Sequence, residues 1–92
     1  MAAPAAPSKR TVHTVTIEGT RFVPDVLVVK PGDSIVWVNK DPFTHTVTSR
    51  DGGFDSKQIN EGRSWKYVAA RKGEFPYVCT LHPTMKGTLR VE

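Results

Sequence analysis

A chain of 92 residues has room for one small hydrophobic core and none for a second, catalytic domain. Thirteen Lys and Arg against nine Asp and Glu give a formal charge of +4, which favours an acidic partner through long-range steering. The basic residues are scattered and match no RNA- or DNA-binding pattern, no apolar run is long enough to span a membrane, and a single cysteine rules out an internal disulfide, a C-x-x-C redox pair and haem attachment.

Residues 1–10 are rich in Ala and Pro, lack the apolar region of a signal peptide and read as a flexible lead-in, leaving 11–92 as a single domain. Val12 to Ile17 alternates with period two and reads as a strand. Phe22 to Lys30 is a second extended segment interrupted by Pro24, followed by the turn Pro31-Gly32-Asp33. Ser34 to Asn39 is a β-branched and aromatic run with the length of a core strand, and Trp37 is its anchor. Lys40-Asp41-Pro42 turns the chain into Phe43 to Thr48, which again suits a strand. After Arg50-Asp51-Gly52-Gly53, residues 54–59 lack a clear period; Ser64 to Ala69, Phe75 to Cys79 and Gly87 to Glu92 complete the extended segments. No window carries a helical period. Short strands divided by Gly, Pro and Asp turns about every ten residues point to an all-β sandwich or barrel.

The chemistry concentrates in Cys79-Thr80-Leu81-His82-Pro83-Thr84-Met85, where a thiol, an imidazole and a thioether recur every third residue. On a helix they would share a face, but Pro83 interrupts any helix there and the approach from Phe75 is strand-like, so a tight loop between strands is expected. Soft sulfur donors beside imidazole suit copper better than a hard cation. A further nitrogen ligand is required. His45, just after a Pro-containing turn, meets that need, with His13 as its competitor. Two histidines, a thiolate and a long axial methionine make the blue-copper arrangement.

These residues resemble the cupredoxins, the small type 1 copper proteins. The resemblance runs through Phe22, Pro24, Leu27 and Val29, Gly32-Asp33, Val36, Trp37 and Asn39, then Gly73, Phe75, Tyr77 and Cys79, and is most specific at Cys79-x2-His82-x2-Met85, the short ligand loop of the amicyanin type. It implies a Greek-key β-sandwich of about eight strands in two sheets, one copper ion held by His45, Cys79, His82 and Met85, and a Thr44 carbonyl opposite Met85. The chain departs from the family pattern at Thr46, where asparagine usually ties the two ligand loops together, and at Leu81, where proline is common. Thr46 is expected to bond to Thr80 or to a nearby backbone group instead.

The resemblance further implies a monomeric one-electron carrier, not an enzyme, in the periplasm. Electrons would pass through His82 inside an apolar patch of Pro42, Phe43, Leu81, Pro83 and Thr84. Lys40, Arg50 and Lys86 would ring that patch and steer an acidic cytochrome or dehydrogenase. The rival readings are a copper chaperone, store or sensor, and an electron-transfer domain cut from a larger oxidoreductase. A Cys79 nucleophile with His82 as its base lacks an orienting acid and an oxyanion donor.

Overall fold

The structure, a computed structural model, describes residues 10–92; the lead-in expected at 1–10 lies, apart from Arg10, outside the described residues. Nine strands follow one another: β1 (Val12–Ile17), β2 (Phe22–Val23), β3 (Val26–Val29), β4 (Ser34–Asn39), β5 (Thr48–Ser49), β6 (Phe54–Asp55), β7 (Ser64–Val68), β8 (Gly73–Cys79) and β9 (His82–Val91). They form a four-stranded sheet in the order β2-β1-β4-β7 and a five-stranded sheet in the order β3-β9-β8-β5-β6. The all-β Greek-key sandwich expected from the sequence is present.

Period-two alternation decides what faces the middle. In β4 it turns Ile35, Trp37 and Asn39 inward, and in β9 it buries Met85, Gly87, Leu89 and Val91. Trp37 and Tyr77 are the largest fully buried side chains, and their rings meet edge to face with centroids 5.5 Å apart. Each large apolar side chain removed from water in this way contributes roughly 1.5–3 kcal/mol. Tyr77 lies directly across the sheet from Gly87, where an ideal Cβ would stand 2.4 Å from the phenol ring, so only glycine leaves the ring its place.

Three expectations are corrected. The segment from Phe22 is two strands, because Pro24 has no N–H for a ladder and the chain changes sheets there: β2 pairs with β1 in one sheet and β3 with β9 in the other. Residues 43–47 are not a strand, since their backbone groups bond to loops; only Thr48 and Ser49 join a ladder, although His45 makes an isolated bridge to Ile59. The last strand begins at His82 and not at Gly87, so the expected loop between strands shrinks to the two-residue turn Thr80-Leu81.

Register sets the geography. β1 and β4 run parallel with Ile17 beside Asn39, β7 enters antiparallel beside them with Ser64 opposite Val38, and β8 ends where β9 begins. One end of the sandwich therefore collects the segments 40–47, 59–63 and 80–85. His13 sits opposite Ile35, four residues or roughly 13 Å of strand away from that end.

Candidate metal centre

The segment carrying His45 has no ladder to hold it, and buried polar side chains do that work. Asn39 closes β4 facing inward, and its amide donates to the carbonyls of Phe43 and Ile59, both at 2.8 Å, while its Oδ1 accepts from the Asp41 N–H at 2.8 Å. The His45 N–H donates to the Ile59 carbonyl at 3.1 Å and the Ile59 N–H to the His45 carbonyl at 2.7 Å. The backbone on both sides of the histidine is thereby fixed from two directions.

Asp41 then orients the ring. Its Oδ1 accepts from the Gly19 N–H, and its Oδ2 from the Thr20 N–H and from His45 Nε2, each at 2.8 Å. Burial opposes the charge on Asp41, but the Thr20 N–H, the His45 ring and the Gly19 N–H outweigh it and hold the carboxyl below its usual range. A carboxylate on Nε2 assigns the proton to that nitrogen and leaves the Nδ1 lone pair for the centre of the site.

The second arm is the β8–β9 hairpin. Val78 pairs with Lys86 but Cys79 pairs with His82, so β8 advances one residue where β9 advances four. This irregularity lets Pro83 and Thr84 stand exposed while Met85 turns back into the core. Cys79 Sγ, fully buried, lies 3.6 Å from His45 Nδ1 and 3.7 Å from His82 Nδ1. The three donors all fall within 4.8 Å of one another.

Around the sulfur the loops are tied together. The Thr46 N–H points at Cys79 Sγ at 3.4 Å, and Thr46 Oγ1 accepts from the Thr80 N–H at 2.9 Å and lies 3.1 Å from Thr80 Oγ1. The bond expected between Thr46 and Thr80 is present. The Thr44 hydroxyl is engaged elsewhere, donating to Asn60 Oδ1 at 2.9 Å. A buried sulfur beside two imidazole nitrogens is a donor set that suits a soft or borderline metal and not Mg²⁺ or Ca²⁺.

Phe43 is 57% exposed and Leu81 47%, and the Phe43 ring stands 6.2 Å from the half-buried His82 ring. Lys40 and Pro42 are exposed on the segment after β4, and Pro83, Thr84 and Lys86 on β9. Arg50 is not with them: it belongs to the β5–β6 turn, where the Asp51 carbonyl accepts from Arg71 of the β7–β8 connection. His13 is likewise elsewhere, its Nε2 bonded to Asp33 Oδ2 at 3.0 Å. Sequence reasoning passed over Asp41 as a turn residue; the available signal was an acid four positions before a histidine, directly after a strand ending in asparagine.

The family model of the cupredoxin-like domain matches residues 1–91. The chain is 27% identical over 83 residues to amicyanin of Paracoccus versutus, covering 85% of this chain and 63% of that protein, so it spans less than two thirds of that curated relative. A solved structure of an amicyanin mutant in its Cu(I) form superposes with a TM-score of 0.82 at 25% identity, over 88% of this chain and 82% of the other. The Cu-containing nitrite reductase of Thermus scotoductus superposes with a TM-score of 0.81 at 29% identity, over 87% of this chain and 22% of that one.

Proposed function

The chain belongs to the cupredoxin-like domain family, and from that premise we propose that it is a small electron carrier in which His45, Cys79, His82 and Met85 hold one copper ion. The observation that carries the reading is the approach of His45, Cys79 and His82 to within 4.8 Å, with Met85 buried on the same hairpin. Bound there, copper supplies a one-electron Cu(I)/Cu(II) couple. The protein supplies the frame. Asp41 and the Ile59 bridge fix His45, the Thr46 N–H steadies the Cys79 sulfur, and the Thr46–Thr80 bond keeps the two arms at constant separation. Donors held this way change little between charge states, which keeps reorganisation small.

An enzymatic reading meets a specific objection. Cys79, His45 and Asp41 line up like a nucleophile, its base and the base's orienter, with Sγ 3.6 Å from Nδ1 and Nε2 2.8 Å from the carboxylate. Cys79 is 0% exposed, however, and a thiol that no substrate can reach is no nucleophile. Adding Cu(II) to the purified protein tests the copper reading: an intense visible thiolate-to-copper band is expected, lost in Cys79→Ser and retained in His13→Gln. A colourless tetragonal adduct refutes it.

The exposed His82 edge among Phe43, Leu81, Pro42, Pro83 and Thr84 is the proposed exit for the electron, and Lys40 and Lys86 beside it favour an acidic cytochrome or dehydrogenase. Steering of this kind weakens over a Debye length of about 8 Å at physiological salt, so transfer rates should fall as salt is added. Rates that stay flat dispose of it. We further propose a monomer working in the periplasm, by the same resemblance; among the described residues no helix is long and apolar enough to cross a membrane. The likeness to part of a nitrite reductase favours one second reading, an electron-transfer domain of a larger oxidoreductase. A native polypeptide longer than 92 residues on mass spectrometry would favour that reading.

A further inference from the structure

The hydrogen bonding of Thr46 does not end at Thr80. Its Oγ1 also lies 3.2 Å from Thr48 Oγ1, and Thr48 Oγ1 donates to Asp55 Oδ1 at 3.1 Å. Strand register builds this contact, because β5 and β6 pair antiparallel with Thr48 opposite Asp55, and β8 places Val78 on the other side of Thr48. The turn after β6 holds the carboxylate there. The Lys57 N–H donates to Asp55 Oδ1 at 2.9 Å, while Ser56 is tied to Val47 twice, its Oγ accepting from the Val47 N–H at 2.8 Å and its N–H donating to the Val47 carbonyl at 2.9 Å. A continuous chain of side chains thus joins an exposed carboxylate to the residue whose N–H points at the Cys79 sulfur.

Proton counting gives this chain a single direction. An ionised carboxylate only accepts, so Thr48 spends its one hydroxyl proton on Asp55 and must accept from Thr46. Thr46 has then spent its own proton, and across 3.1 Å the Thr80 hydroxyl can only donate to it. The two lone pairs of Thr46 Oγ1 are filled by the N–H and the O–H of Thr80, so every hydrogen-bonding capacity of this buried hydroxyl is used. All three O–H groups point along the chain toward Asp55, and hydrogen bonds aligned in this way polarise one another. We propose that Thr48 and Asp55 are positioning residues of the metal centre, acting through this one-way chain to lock Thr46 against Cys79 and to lower the reduction potential of the bound metal. This rests on the copper reading above. The charge of Asp55, relayed by the aligned hydroxyls, favours the more positive of the two metal charge states, which is the oxidised one. Lys57 Nζ, 4.0 Å from Asp55 Oδ2 on a side chain 85% exposed, is too well solvated to cancel that charge.

The test separates the chain from the charge. Thr48→Val cuts the chain and keeps the carboxylate. Asp55→Asn removes the charge and keeps the chain, because the Lys57 N–H holds the amide oxygen toward Thr48. Asp51→Asn removes an equal charge from the β5–β6 turn, outside the chain. In metal-free protein, amide hydrogen exchange at Thr80 should rise about three- to tenfold in Thr48→Val, the equivalent of one hydrogen bond, and stay near wild type in Thr48→Ser and Asp55→Asn. In copper-loaded protein, spectroelectrochemical titration should find a higher potential in Thr48→Val and in Asp55→Asn, and the wild-type potential in Thr48→Ser and Asp51→Asn. The double variant of Thr48→Val and Asp55→Asn should shift no further than the larger single one, since the second change acts through a chain already cut. Equal shifts in Asp51→Asn and Asp55→Asn, additive shifts in the double variant, or unchanged Thr80 exchange in Thr48→Val overturn the chain and leave the copper reading intact. Absence of the visible band in wild-type protein loaded with Cu(II) overturns both.

Discussion

Asp41→Asn isolates what orients the site, because the amide keeps the size of the carboxylate and changes only its charge and one acceptor. Three groups at 2.8 Å converge on the wild-type carboxylate: Gly19 N–H on one oxygen, Thr20 N–H and His45 Nε2 on the other. Asparagine has a single oxygen. Facing Thr20 it leaves the Gly19 N–H against an NH₂ group; facing Gly19 it turns that NH₂ toward Thr20 and His45. The first orientation loses one charge-assisted bond and weakens two, for a combined loss of about 3 kcal/mol. For a domain of this size that is a fall in melting temperature of roughly 12–24 °C. The second orientation also reverses the ring, since an amide donating to Nε2 requires the proton on Nδ1, the nitrogen that faces Cys79. Copper affinity should then drop by about 10–100-fold, as is usual when the partner of a ligating histidine is removed. Thermal unfolding of the metal-free protein by circular dichroism reads the first effect and competitive Cu(I) titration the second. A variant that melts within about 4 °C of wild type and binds copper equally well refutes the role assigned to Asp41.

Gly87→Ala places a methyl carbon 2.4 Å from the Tyr77 ring and should destabilise the sandwich by about 1–3 kcal/mol in urea unfolding; a change within about 0.5 kcal/mol would mean the ring moves aside freely. Asp33 supplies a pH dependence. The Thr11 N–H first, then the His13 ring and the Lys30 N–H, lower its carboxyl to about 2. A depressed carboxylate contributes stability that is fully present above the ordinary value of about 3.9 and is lost as pH falls toward the folded value. Asp33→Asn should therefore be less stable than wild type at neutral pH, with the gap closing between about pH 4 and about pH 2. A gap that does not vary with pH contradicts this account.

Local pattern carried much of the fold. Alternation announced β1, β7 and the end of β9, a β-branched and aromatic run announced β4, and turn residues marked most of the boundaries, because all of these depend on neighbours a few positions apart. Pro24 announced a break but not that the strands on its two sides belong to different sheets, since sheet membership depends on partners far along the chain. The alternating residues after Pro42 suggested a strand that does not form, because Asn39, Asp41 and Ile59 claim their backbone and ring groups. Propensity yields there to specific buried hydrogen bonds.

At the site the division is similar. The spacing of Cys79, His82 and Met85 by itself determined the donor chemistry, because donors of that softness three residues apart have little else in common. The turn before His45 already favoured it over His13, and the tertiary structure supplies the distance: the parallel β1–β4 register puts His13 beside Ile35 and away from the end where β4 delivers Asn39. The tertiary structure also decided what holds the ring: Asp41 meets Gly19 and Thr20 more than twenty residues earlier, a contact no periodicity encodes. Ligand type is a property of single residues, whereas ligand orientation is a property of the packed chain.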